Sequence, residues 1–237
     1  MHGQNEVANE FLSNESVSVT DMFPTVQGEG PDAGRPCVFL RLSQCNLRCV
    51  WCDTFFETGV DWLYEALNLK LFGMLRTHGY DLLVITGGEP LLQNLAPIVE
   101  FMNAHNIAVS VETSGSIGQP YLNDYFAPDR SIGGNLVVCS PKTPKISPHV
   151  AGIAGAFKYI IKDGETSPDD GLPVCSTQIE GQSSRLYRPQ AAVPIFVQPC
   201  DEADEGRNKA NLDAAVHSSM QYNHRLSIQL HKLAALP

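Results

Sequence analysis

Four short apolar runs, each closing on a polar or glycine-rich motif, set the strongest limit on how this chain can fold. Pro36–Leu42 runs into a cysteine-rich loop, Leu82–Thr86 into Gly87-Gly88-Glu89-Pro90, Ile107–Val111 into Glu112-Thr113-Ser114-Gly115, and Leu136–Cys139 into Ser140-Pro141-Lys142. Runs of this length and β-forming character read as strands. Between them lie helical signals. Leu63, Leu67, Leu71 and Leu75 recur at i+4 and predict an amphipathic helix from Asp61 to about Leu75. Further helices are expected up to about Ala104 and over Arg207–Met220, with strands at Phe157–Ile161, Val193–Val197 and Leu226–Gln229. Strands alternating with helices predict βα units and a mostly parallel sheet. In such folds the ends of several strands assemble one site. Residues 1–15 read as a polar extension, 16–237 as a single domain, and 163–190 (polar and rich in Gly, Pro and Ser) as a long loop or insertion.

Composition narrows the function. A formal charge of −10 argues against a nucleic-acid backbone or an anionic membrane as partner and favours a small substrate. No stretch approaches the ~20 apolar residues that span a bilayer. Met1 to Ser18 is polar and lacks the apolar core of a signal peptide, so a cytoplasmic protein is expected. Seven cysteines in such a chain do not suggest a disulfide framework. Cys37, Cys139, Cys175 and Cys200 are scattered, as buried packing residues are.

The other three are concentrated in Cys45-Asn-Leu-Arg-Cys49-Val-Trp-Cys52, a C-x3-C-x2-C pattern. Three thiolates at this spacing can wrap a soft-metal centre. No fourth Cys or His lies close downstream; the next His is His78. On a four-iron cubane, three protein ligands leave one iron open, as a reactive centre needs. A zinc knuckle with a remote fourth ligand is the structural alternative. An electron carrier of the ferredoxin type would need a fourth thiolate nearby.

The C-x3-C-x2-C pattern, with an aromatic residue before its last Cys, resembles the signature of the radical S-adenosylmethionine (SAM) superfamily. Thr86-Gly87-Gly88-Glu89-Pro90 is similar to that superfamily's GGEP motif, which contacts the SAM amino group. The glycines suit close approach to a ligand, and the carboxylate suits an ammonium. The resemblance implies a [4Fe–4S] cluster on Cys45, Cys49 and Cys52, with SAM on the open iron. Reductive cleavage of SAM then yields a 5′-deoxyadenosyl radical that abstracts hydrogen from the substrate.

Phe23-Pro-Thr-Val-Gln27-Gly28-Glu29-Gly30, Cys52-Asp53-Thr54, Ser140-Pro141-Lys142, Gln198-Pro199 and the ending Gln229-Leu-His231-Lys232 … Leu236-Pro237 narrow the match. From about Ser18 to Pro237 their order resembles the 7-carboxy-7-deazaguanine synthases, a family of queuosine biosynthesis. That resemblance implies a homodimer of incomplete, modified (β/α) TIM-like barrels. It also implies ring contraction of 6-carboxy-5,6,7,8-tetrahydropterin to 7-carboxy-7-deazaguanine with loss of ammonia, SAM being regenerated. By the same resemblance, Val26, Gln27, Gly28, Arg41, Thr86 and Pro237 meet the substrate, Pro237 through its terminal carboxylate and Arg41 by pairing with the substrate carboxylate. Trp51, Cys52, Asp53, Gly88, Ser140, Pro141, Lys142, Gln198, Pro199, Cys200 and Asp201 line SAM, and Thr54 binds Mg²⁺. Cys200 stands where relatives often carry Met or Ser. Glu29, Glu112 and Ser114 are also expected to face the site. A flavodoxin is the expected type of electron donor.

Two rivals follow from the same residues. Activating enzymes of glycyl-radical proteins share the cysteine spacing, but they are expected to lack the Gln27-Gly28-Glu29-Gly30 lead and the terminal His-Lys … Pro. A zinc-stabilised binding module is the non-enzymatic alternative, separable by metal analysis.

Overall fold

A computed structural model describes residues 15–131 and 133–236. Two features that the hydrophobic pattern did not announce shape its first third. Ser16–Val26 is a long strand, β1, whose Val19–Val26 part pairs antiparallel with β2 (Pro36–Leu42), Phe23 opposite Phe39 and Val26 opposite Pro36. Val60–Leu63 then forms β3, paired with Ser16–Val19 on the far side of β1. The helix expected from Asp61 therefore begins three residues later, as α1 over Tyr64–His78. Leu63 precedes its first turn and is 65% exposed, whereas Leu67, Leu71 and Leu75 are buried. The leucine period was right, but its first member belongs to a sheet edge. Gly79 ends α1 in the left-handed conformation (φ 69°), its N–H reaching the carbonyls of the last turn.

The remaining elements are β4 (Leu82–Gly87), α2 (Ala96–Ala104), β5 (Ala108–Thr113), β6 (Leu136–Cys139), α3 (Pro148–Ile153), β7 (Ala154–Ile161), β8 (Ile195–Pro199), α4 (Glu205–Tyr222), β9 (Arg225–Leu226) and α5 (Leu230–Leu233). Among the described residues nine strands form one sheet in the order β3-β1-β2-β4-β5-β6-β7-β8-β9. Every pairing from β2 to β9 is parallel, and β3 and β9 are the two edges. This is the expected incomplete barrel, a mostly parallel α/β sheet left open. The expected strand Leu226–Gln229 shrinks to Arg225–Leu226. Beyond it the Ser227 hydroxyl accepts from the Gly30 N–H and the Leu230 N–H donates to the Gly28 carbonyl. The chain therefore leaves the edge and packs on the turn after β1.

Strand periodicity decides what faces where. On one face of the sheet Val38, Leu40, Leu83, Ile85, Val109 and Val111 pack under α1 and α2, joining Leu67, Leu71, Ile98 and Met102 in the main core. Each buried side chain of this kind contributes roughly 1.5–3 kcal/mol. The alternate residues point the other way. Arg41 stands opposite Thr86 in register, Lys158 opposite Phe196, and Ile160 opposite Gln198.

Residues 163–190 contain no helix or strand, only the bridges Thr166–Pro173 and Cys175–Ser183. The segment is tied down nonetheless. Ser218 of α4 donates to the Gly171 carbonyl at 2.8 Å, Tyr222 to that of Pro168 at 2.6 Å, and Tyr159 of β7 to that of Tyr187 at 2.5 Å, while Arg188 and Asp170 close the segment on itself at 2.8 Å. Among the described residues no helix is long and apolar enough to cross a membrane.

Candidate active site

The ends of β2, β4, β5, β6, β7 and β8 open into a cleft of about 350 Å³. Val26, Gln27, Arg41, Cys45, Cys49, Trp51, Cys52, Asp53, Thr54, Thr86, Gly88, Ser140, Lys142, Gln198, Pro199, Cys200 and Asp201 all line it, together with Glu29, Glu112 and Ser114. Two expected residues do not. A Cβ on Gly28 would lie 2.0 Å from His231 Nδ1, so this glycine serves packing of the C-terminal turn against the β1 end. Pro141 borders a separate hollow of about 20 Å³ under the 163–190 segment. Pro237 lies outside the described residues, as do residues 1–14 of the expected extension.

Cys45, Cys49 and Cys52 are free thiols on one wall of the cleft. The Leu47 N–H donates to Cys45 Sγ at 3.4 Å, and the Gln178 side-chain amide donates to Cys49 Sγ at 3.2 Å. Burial pushes the Cys45 thiol up to about 12 and also raises that of Cys52. Bare, the Cys45 and Cys52 sulfurs stay protonated, and a bound cationic centre reverses that preference. No group of three or more His, Cys, Asp or Glu among the described residues could hold a single metal ion. Three clustered thiols without a fourth Cys or His in their loop fit a larger iron–sulfur centre with one open corner.

Within the Gly-Gly-Glu turn Gly88 lines the cleft, and the Glu89 side chain turns inward. Glu89 is fully buried and is not among the residues that line the cleft. It accepts from Thr113 Oγ1 (2.6 Å), the Ser114 N–H (2.9 Å), Ser114 Oγ (2.5 Å) and the Leu91 N–H (3.1 Å). Burial raises its carboxyl above the ordinary value, against the pull of these donors. The carboxylate is thus a strut between the ends of β4 and β5, not a free partner for an ammonium. The glycines are required by the chain itself. A Cβ on Gly87 would sit 2.2 Å from the Leu42 carbonyl oxygen, and one on Gly88 2.0 Å from that of Gln44. Both contacts press the turn against the start of the cysteine loop.

Between the β1 end, β5, β7, β8 and the C-terminal segment lies a buried polar network that the sequence reading only half anticipated. Lys158 on β7, 6% exposed, pairs with Glu29 and lies 3.8 Å from Glu112. Gln198 and Gln229 donate to Glu29 Oε1 at 3.0 and 2.8 Å, and Gln27 donates to Glu112 at 2.9 Å. Burial alone would raise the Glu29 carboxyl, but Lys158 beside it and the bonds from Lys158 and Gln229 hold it at about 2. Burial opposes the Lys158 ammonium, yet Glu112 and Glu29 raise it above its usual value. Lys158 was missed because it sits inside an apolar run. Its period-2 position between core residues Phe157 and Tyr159 was the available signal.

On the other wall, Lys142 lies over the Trp51 ring at 4.2 Å, and burial lowers its ammonium. Lys232 spans the rim, 2.7 Å from Asp201 and 3.4 Å from Asp53. Its hydrogen bond holds Asp201 at about 2. The cleft therefore joins a thiol wall, a cation–aromatic wall and a polar base with both charges present.

No family model matches the chain. A protein of Rhodospirillum rubrum described as 7-carboxy-7-deazaguanine synthase is 43% identical over 225 residues, covering 92% of each chain. One of Rickettsia prowazekii with the same description is 28% identical over 233 residues, covering 93% of this chain and 88% of its own. Among solved structures, QueE from Escherichia coli superposes with a TM-score of 0.64 at 21% identity, over 91% of this chain and 95% of that one, a likeness of fold. On the strength of the Rhodospirillum match across nearly all of both chains, the chain belongs to the 7-carboxy-7-deazaguanine synthase family.

Proposed function

We propose that the chain is the radical SAM enzyme that contracts 6-carboxy-5,6,7,8-tetrahydropterin to 7-carboxy-7-deazaguanine with release of ammonia. One observation carries the reading: the three thiols share a single cleft with Arg41, Thr86 and the Glu29–Lys158–Glu112 network. Cys45, Cys49 and Cys52 would hold the [4Fe–4S] cluster. When bound, the reduced cluster and SAM supply the radical that takes hydrogen from the substrate.

The chain's own residues bind and orient. Arg41, at the end of β2, offers a planar fork to the substrate carboxylate. Gln27, Glu29 and Glu112 present amide and carboxylate groups that suit the N–H-rich edge of a pterin. Ser140, Lys142 and the Gln198–Asp201 strand end form the wall assigned to SAM, with Trp51 held under Lys142. Thr54 Oγ1 lies 3.3 Å from Asp53 Oδ1, a pair of oxygen donors of the kind Mg²⁺ accepts. Lys232 bridges Asp53 and Asp201 at the rim of the cleft. A homodimer and a flavodoxin-type electron donor belong to the same proposal.

The test is anaerobic reconstitution with iron and sulfide, followed by reaction with SAM, dithionite, Mg²⁺ and the carboxylated pterin. Mass spectrometry is expected to show 7-carboxy-7-deazaguanine, abolished in Cys49→Ala. SAM cleavage without that product would redirect the search to another substrate. A colourless zinc protein would overturn the reading.

A further inference from the structure

The 163–190 segment reaches the cysteine loop at one place, through Thr177 and Gln178. The Val50 N–H donates to the Thr177 carbonyl at 2.9 Å, and the Arg48 N–H donates to Gln178 Oε1 at 2.7 Å. Because a backbone donor claims the amide oxygen, the amide nitrogen must point the other way. It points at Cys49, with Nε2 3.2 Å from Sγ. Thr177 Oγ1 holds the same NH₂ at 2.7 Å and itself donates to the Lys142 carbonyl at 2.9 Å. The amide is thus fixed from both ends. The segment that carries it is anchored on α4 through Ser218 and Tyr222 and on β7 through Tyr159.

We infer that residues 163–190 are a strap whose Gln178 positions Cys49 and tunes the cluster it carries by an N–H···S hydrogen bond. The inference rests on the proposal that Cys45, Cys49 and Cys52 hold a [4Fe–4S] cluster. Hydrogen bonds to ligand sulfur stabilise the more negative, reduced state and so raise the reduction potential. Gln178 is a positioning residue: it touches the ligand thiol and no reacting atom. Gln178→Leu removes the donor. Gln178→Glu keeps an oxygen for the Arg48 N–H but turns a second, charged oxygen toward the sulfur.

The experiment is a redox titration of reconstituted wild type, Gln178→Leu and Gln178→Glu, following the reduced cluster by electron paramagnetic resonance. At a fixed poise Gln178→Leu is expected to show a reduced-to-oxidised cluster ratio about tenfold lower, a fall of ~59 mV for a one-electron couple, with Gln178→Glu lower still. Equal potentials in all three, at equal iron content, would overturn the inference and leave the cluster assignment standing. Wild type without a cluster would overturn the assignment and the inference with it. Should Gln178→Leu fail to take up iron, alkylation of the apo-proteins decides. A rate at Cys49, relative to Cys52, that rises threefold or more in the variant supports the strap, and an unchanged ratio sinks it.

Discussion

The Thr113 hydroxyl donates to Glu89 Oε1 at 2.6 Å and so ties the end of β5 to the turn after β4. With the donors from Ser114 and Leu91, Glu89 has no lone pair to spare for a ligand. In Glu89→Gln an amide NH₂ replaces one of these acceptors and meets donors head-on. The variant is expected to lose about 2 kcal/mol of unfolding free energy, read from the urea midpoint at constant slope. An unshifted midpoint would show that the strut contributes nothing.

Gly88 is needed for the cysteine loop, not only for the cleft. A Cβ there would lie 2.0 Å from the Gln44 carbonyl oxygen and 2.9 Å from Cys45 Cβ. Gly88→Ala is expected to cut the iron bound per chain several-fold on reconstitution. Gly73→Ala in α1, where an added Cβ meets nothing within 4 Å, is the control. It should bind iron normally and gain up to about 1 kcal/mol of stability. Full iron loading of Gly88→Ala would refute the packing argument.

The Glu29–Lys158 pair sets a response to acid. Glu29 falls from an ordinary 4.5 to about 2 in the folded chain. A depressed acid contributes stability above its unfolded value and loses it as pH falls toward the folded one. Stability should therefore drop between pH 4.5 and about 2, by up to ~3 kcal/mol from this group. Glu29→Gln should flatten that slope in thermal melts, and should destabilise the protein near neutral pH by leaving Lys158 with a weaker partner. A slope identical to wild type would mean that Glu29 is not the group that titrates.

Arg41 faces the cleft from β2 and stands opposite Thr86 in register. Arg41→Lys keeps the charge and loses the bidentate fork. It should raise KM for the carboxylated pterin about tenfold, roughly 1.4 kcal/mol, and change kcat less. A decarboxylated analogue should bind both forms equally. Unchanged KM in the lysine variant would remove Arg41 from substrate recognition.

Local spacing made the thiols legible. C-x3-C-x2-C needs only a few residues of chain to bring three sulfurs to one wall, and the structure has them there. The strand-end motifs were legible for a similar reason: short apolar runs ending in Gly-Gly-Glu or Ser-Pro-Lys mark one edge of a parallel sheet. β1 was not, because its alternation is interrupted by Asp21 and Pro24 and its partners lie elsewhere in the chain. The helix start at Tyr64 was hidden likewise, since Val60–Leu63 become a strand only once β1 is beside them.

The sequence by itself determined the fold class, the cysteine wall and the set of motifs that meet in the cleft, since these depend on periodicity and short spacings. Only the tertiary structure decided what those motifs do to one another. It turned Glu89 inward as a strut, paired Lys158 with Glu29 across 129 residues, and brought Gln178 to Cys49 across as many. Such contacts depend on strand register and on where a long loop is anchored. Both follow from burial summed over the whole chain, which no local window contains.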